Sequence, residues 1–165
     1  MMEFKQAEQF FLSGTQYQAI QDCLGALADK LHVVATLLID RSGRVLAKRV
    51  QEGRQIHETY LGALAAGSYA AAGEMAPMLG EEKQFEMILH EGRVLNALIA
   101  SVDVRYCLVV VFPKEEALGM VRLFTKRTVG QILPILQSSE RPEELITNRF
   151  QNLLDQALDE SFKEF

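Results

Sequence analysis

Residues 58–79 put Gly62, Ala63, Ala65, Ala66, Gly67, Ala70, Ala71, Ala72 and Gly73 into one segment whose length and apolar content suit a helix. Glycine costs about 1 kcal/mol against alanine inside a helix. Three glycines so close together need a compensating reason, and the close approach of another backbone is one. Gly62, Ala66 and the Tyr69–Ala70 pair fall on one side, while Ala63, Gly67, Ala70 and Ala71 fall on an overlapping one. Two arrangements satisfy such a helix. It lies tightly on its own sheet, or it offers a flat surface to a second subunit or partner, and both hold if they use different faces.

The flanking pattern supplies the sheet. From a Thr15 N-cap, Ile20, Cys23, Leu24, Leu27 and Leu31 recur at helical spacing. Residues 33–39 read as a central strand, and residues 44–50 return from it. Asp40-Arg41-Ser42-Gly43 lies between them, with aspartate opening the turn and glycine at its left-handed position. Pro77 and Gly80 end the small-residue helix. Residues 85–89, 94–102 and 106–112 follow as three strands of an antiparallel meander. A helix over residues 115–136 carries Leu118, Val121, Thr125, Thr128, Ile132 and Leu136 on one stripe, and Pro134 should kink it or end it early. The edge strand 85–89 stays exposed unless it pairs across a dimer.

The chain divides into an N-terminal extension (1–14), a main domain (15–137) and a C-terminal part (138–165). That last part is a hinge, Ser138-Ser139-Glu140-Arg141-Pro142, and an amphipathic helix with Phe150, Leu153, Leu154, Leu158 and Phe162 on its apolar side. Residues 41–55 hold five basic side chains and one acid, whereas residues 140–165 hold seven acids and three bases. The tail and the first hairpin can therefore attract each other, or each can meet a partner. With 17 basic against 22 acidic residues the net charge is −5, which argues against a dedicated nucleic-acid binder. The N-terminus lacks the basic-then-apolar profile of a signal peptide, and the apolar runs are too short for membrane insertion, so a cytoplasmic protein is expected. Cys23 and Cys107 stand far apart in apolar surroundings and read as buried free thiols.

No catalytic constellation emerges. Gly62-x-x-x-x-Gly67 lacks the lysine of a phosphate-binding loop. His57-Glu58 and His90-Glu91 lack the second histidine of a zinc hydrolase. The paired carboxylates Glu81-Glu82 and Glu115-Glu116 sit at element ends, where water or a helix N-terminus suits them. Neither cofactor nor metal is expected.

Four motifs in order carry a family resemblance: residues 37–46 on the first hairpin, 64–71 on the middle helix, His90-Glu91-Gly92 at a turn, and 118–123 entering the last helix. Across residues 17–137 the chain resembles the Roadblock-type dynein light chain family, and within it the bacterial MglB proteins. The resemblance implies an α+β fold of order αββαβββα. A five-stranded antiparallel sheet is covered by helices on both faces, with a C-terminal helix appended. It also implies a homodimer with middle helices side by side and edge strands paired, acting on a Ras-like small GTPase of the MglA kind. Such a dimer accelerates GTP hydrolysis by ordering the switch regions, without donating an arginine. The implied contact surface is Ala63, Ala66, Gly67, Ala70, Ala71 and Glu74, with Arg122, Lys126 and Arg127 adding charge near the same face. The tail anchors Phe150, Leu153, Leu154, Leu158 and Phe162 parallel an extension that contacts the GTPase in some members. Tyr69 departs from the pattern and would crowd the docking helix. Two alternatives remain beside the regulator: a non-catalytic dimeric scaffold for a GTPase or motor component, and a small-molecule sensor.

Overall fold

The strands at the centre of the fold are the ones whose sequence is apolar without interruption. The computed structural model describes residues 12–138 of the 165. The tail anchors Phe150, Leu153, Leu154, Leu158 and Phe162 lie outside the described residues, as does nearly all of the expected N-terminal extension. Strand β1 is Ala35–Asp40, β2 Val45–Val50, β3 Met87–His90, β4 Leu95–Ser101 and β5 Tyr106–Pro113. They form one antiparallel sheet in the order β2-β1-β5-β4-β3. β1 and β5 are buried along nearly their whole length, because both of their faces are covered.

Strand alternation sorts the core into two layers. Leu37 and Ile39 of β1 and Cys107, Val109 and Val111 of β5 point to one face, where helix α2 (Glu58–Met75) lies. Leu38 of β1 and Leu108, Val110 and Phe112 of β5 point to the other face, under helices α1 (Gly14–Lys30) and α3 (Leu118–Gln137). The expected α+β architecture, a five-stranded antiparallel sheet with helices on both faces, is therefore what the chain adopts.

Four local expectations need correction. The cap of α1 is Ser13, not Thr15. Ser13 Oγ accepts the Gln16 N–H at 3.2 Å, and Gln16 Oε1 accepts the Ser13 N–H at 3.0 Å. This reciprocal box satisfies two otherwise orphaned donors, so the helix starts through Gly14. α3 begins at Leu118, because residues 113–116 close a turn (Glu116 N–H to Pro113 O, 3.0 Å) and the Glu116 carboxylate is drawn to His32, accepting from its backbone N–H and its ring. Pro134 does not end α3, which continues to Gln137. The donor that proline removes would have bonded one turn back, and the last turn is held by Ser138 N–H to Pro134 O at 3.0 Å. Finally, β3 starts at Met87, two residues later than the apolar run. Pro77 and Gly80 act as expected: α2 gives way to a 3₁₀ turn at Ala76–Leu79, closed by Gly80 at φ 81°.

The β1–β2 turn is tightly tied. Asp40 Oδ1 accepts from Ser42 N–H at 2.9 Å, Ser42 Oγ at 2.6 Å and Arg44 N–H at 3.0 Å, while Arg44 Nε donates to Oδ2 at 3.1 Å. Gly43 takes φ 87°, which only glycine adopts without strain. Partial burial is the largest single influence on Asp40 and pushes its carboxyl up. The Ser42 hydroxyl, the backbone N–H groups of Arg44 and Ser42, and the Arg44 charge together outweigh it and hold the carboxyl below its ordinary value. The folded state thus prefers the carboxylate more than the unfolded chain does. That stability is complete above the ordinary carboxylate range and is lost as pH falls through the folded value. In urea unfolding, Asp40→Asn should lower stability near pH 7 by about 1 kcal/mol or more and lose less than the parent between about pH 5 and pH 3.

Candidate protein-interaction surface

The depth of α2 on the sheet is set by two glycines. A Cβ on Gly62 would stand 2.5 Å from the Gly43 carbonyl oxygen, and one on Gly43 would stand 2.5 Å from Ala63 Cα. Backbone meets backbone here, with no side chain able to give way. Lys48 Nζ anchors the start of the helix on Glu58 Oε1 at 2.7 Å. Gly62, Ala65, Ala66 and Tyr69 then form the buried stripe, at spacings of three, four and seven. Tyr69 points inward, shares a side-chain hydrogen bond with Ser101, and lies under the Arg41 guanidinium. It does not crowd the outer face.

The opposite face of α2 is also apolar. Ala63, Gly67, Ala70, Ala71 and Glu74 are all exposed, and so are Tyr60 and Leu64, each 72% accessible. Met75, Met78 and Leu79 extend this surface past the helix end. A helix that is apolar all round calls for cover on both sides, and the sheet provides only one. A Cβ on Gly67 would meet nothing within 4 Å, so nothing among the described residues explains that glycine.

The outer face has two sides. Ser68 Oγ and His90 Nε2 are in hydrogen-bond contact at 2.9 Å, so the Leu64–Ser68–Met75 side borders the edge strand β3. The Ala63–Ala70–Glu74 side lies toward the β1–β2 turn, where Gly43 touches Ala63. β3 pairs only with β4 among the described residues, leaving its outer edge unpaired beside an apolar helix.

The structure thus gathers Ala63, Gly67, Ala70, Ala71 and Glu74 on one surface and separates the rest of the expected set. Ala66 is 8% accessible and packs on the sheet, because it shares the stripe of Gly62 and Tyr69. Arg122, Lys126 and Arg127 are on α3, in the layer across the sheet from α2, and do not add charge to its face. Tyr60, Leu64 and Met75 belong to the surface and were missed. Their signal was present in the sequence, as bulky apolar residues falling outside the stripe that Gly62 and Tyr69 define.

Arg41 was also missed. Its Nε donates to the Val104 carbonyl and its Nη2 to Gln84 Oε1 at 3.0 Å, which ties the segment ahead of β3 to the β4–β5 turn. A cleft of about 1310 Å³ opens there, with Arg41, Tyr69, Ser101 and Lys126 among its walls. Burial pushes the Cys107 thiol up to about 12, so it stays protonated at neutral pH, and Cys23 is raised mainly for the same reason. Among the described residues no cluster of three metal-ligating side chains occurs, and no helix is long and apolar enough to cross a membrane.

The family model described as the Roadblock/LC7 domain matches residues 19–112. The structure of the gliding protein MglB from Thermus thermophilus is 28% identical with a TM-score of 0.74, over 79% of this chain and 98% of that one. A structure described as MglB with tetrameric arrangement is 27% identical with a TM-score of 0.74, over 78% and 96%. An uncharacterized protein of Aquifex aeolicus is 22% identical over 107 residues, which is 65% of this chain. The match spans 66% of that relative, just under two thirds of its length.

Gly62→Ala should cost about 1–3 kcal/mol in urea unfolding, since a backbone has to move. Gly25→Ala meets only the movable end of Arg49 and should change stability by less than about 1 kcal/mol.

Proposed function

The chain belongs to the Roadblock/LC7 family, and from that premise we propose that it is a homodimeric cytoplasmic regulator of a Ras-like small GTPase. The observation that carries the reading is the apolar face of α2, uncovered among the described residues, running into the edge of β3 that none of them pairs. A second copy meets that combination on its Leu64–Ser68 side, by pairing β3 edges and laying the two α2 helices together. The Ala63–Ala70–Glu74 side stays available for the GTPase. The MglB structure described as tetrameric supports self-association as a habit of such chains.

The proposed action is to accelerate GTP hydrolysis by ordering the GTPase switch regions. Phosphoryl transfer is governed by positioning and electrostatics, so holding switch groups in line is sufficient. α2 contains no lysine or arginine, so its face has no cation to insert beside the phosphates. Arg127 stacks on Phe124 in the other layer, 5.5 Å from the ring centre. Small side chains at positions 63, 67 and 70 let a switch segment approach the helix backbone closely.

The test is phosphate release by a Ras-like GTPase from the same organism, with and without the protein. The expected result is an acceleration of about tenfold or more. Ala70→Arg, an exposed change, should leave the dimer intact and abolish binding of the GTPase. Binding without acceleration would replace the regulator by a scaffold, and normal affinity in Ala70→Arg would remove this helix face from the contact.

A further inference from the structure

The layer opposite α2 is only partly filled. α1 packs mainly on β2 and α3 mainly on β4 and β5, and neither helix makes an extensive contact with β3. Met87 and Leu89 of β3 face this layer and are only half-buried at its border. Between β3 and α3 runs an open groove of about 510 Å³, lined by Phe85, Glu86, Met87, Gly119, Arg122, Leu123 and Lys126. Phe85 and Met87 make its floor apolar, with the exposed Glu86 between them, and Arg122 and Lys126 make its α3 wall cationic. α3 carries three cations and no acid. Among the described residues only Lys126 has an acidic partner, Glu86 at 3.4 Å, and that pair is so exposed that it contributes little.

We infer that residues 143–165 of the same chain occupy this groove as a third helix, antiparallel to α3. Three features of the sequence fit that occupant. The hinge expected from the sequence at residues 138–142 has a length that suits a connection between two antiparallel neighbouring helices. Twenty-three residues make a helix of about 35 Å, and α3 is about 30 Å long, so the segment can run the whole groove. The chemistry is also complementary. With the turn at 138–142, Asp155 comes level with Lys126 and Asp159 with Arg122. Turning Leu154 and Leu158 down onto the β3 floor brings both carboxylates to the side of the segment that meets α3. The docking goes beyond the GTPase reading and does not depend on it.

Hydrogen exchange of the full-length chain reads the contact directly. The amides of residues 150–162 should exchange at least about tenfold more slowly than an unstructured chain. That protection should be lost in Arg122→Glu/Lys126→Glu, whose changes are exposed and spare the core, and regained when Asp155→Lys/Asp159→Lys is added. An unprotected segment in the parent, or protection unchanged in the double variant, would overturn the proposal. In a Lys126→Cys/Asp155→Cys chain, oxidation should give a disulfide within one chain, identified by peptide mapping against Cys23 and Cys107. A link only between two chains, or none, would overturn same-chain docking.

Discussion

Gly43 and Gly62 meet backbone to backbone, and the position of α2 follows from that contact. The turn can present its carbonyl to the helix only because Asp40 holds it through three donors and Gly43 adopts a left-handed conformation. The helix can accept that carbonyl only because Gly62 has no side chain. Once α2 sits at this depth, its rotation is fixed: Ala65, Ala66 and Tyr69 turn inward, and Tyr60, Leu64, Gly67 and Ala71 turn outward. A helix standing higher on its side chains would leave the sheet poorly covered and present a different outer face.

The same contact explains why three glycines in one helix do not share one reason. Gly62 serves the sheet, Gly73 lies against the Gln84 side chain, and Gly67 faces open space. Only the last looks outward from the sheet. The outer face and the β3 edge are adjacent through Ser68 and His90, so one body can cover both. Across the sheet, α3 carries three cations, and Met87 and Leu89 of β3 are only partly covered. The two faces of the sheet thus offer different chemistry, apolar and close-packed on one side, cationic and grooved on the other.

Most of the fold was legible in the sequence. The uninterrupted apolar runs at β1 and β5 marked central strands, Asp40 and Gly43 marked a turn, and the stripe from Val121 to Leu136 marked the buried side of α3. Caps and ends were less legible, because they depend on reciprocal bonds such as Ser13 with Gln16 that compete with neighbouring choices such as Thr15. The candidate surface was half legible. In a segment made of glycine and alanine the apolar period has no phase, so Ala66 was placed on the wrong side; only Tyr69, taken with Gly62, sets the rotation. The layer of Arg122, Lys126 and Arg127 was not legible either, since chain order alone does not say which face of the sheet a helix crosses.

The proposed dimer requires α2 and the β3 edge to form a surface that another copy covers. Sedimentation equilibrium of the full chain and of Leu64→Arg tests it most directly, because Leu64 is exposed and borders β3. The account predicts a parent at twice the 18.5 kDa of one chain, and a variant at the single mass with an unchanged circular dichroism spectrum. A parent that sediments as one chain, or a variant that keeps the double mass, would contradict it.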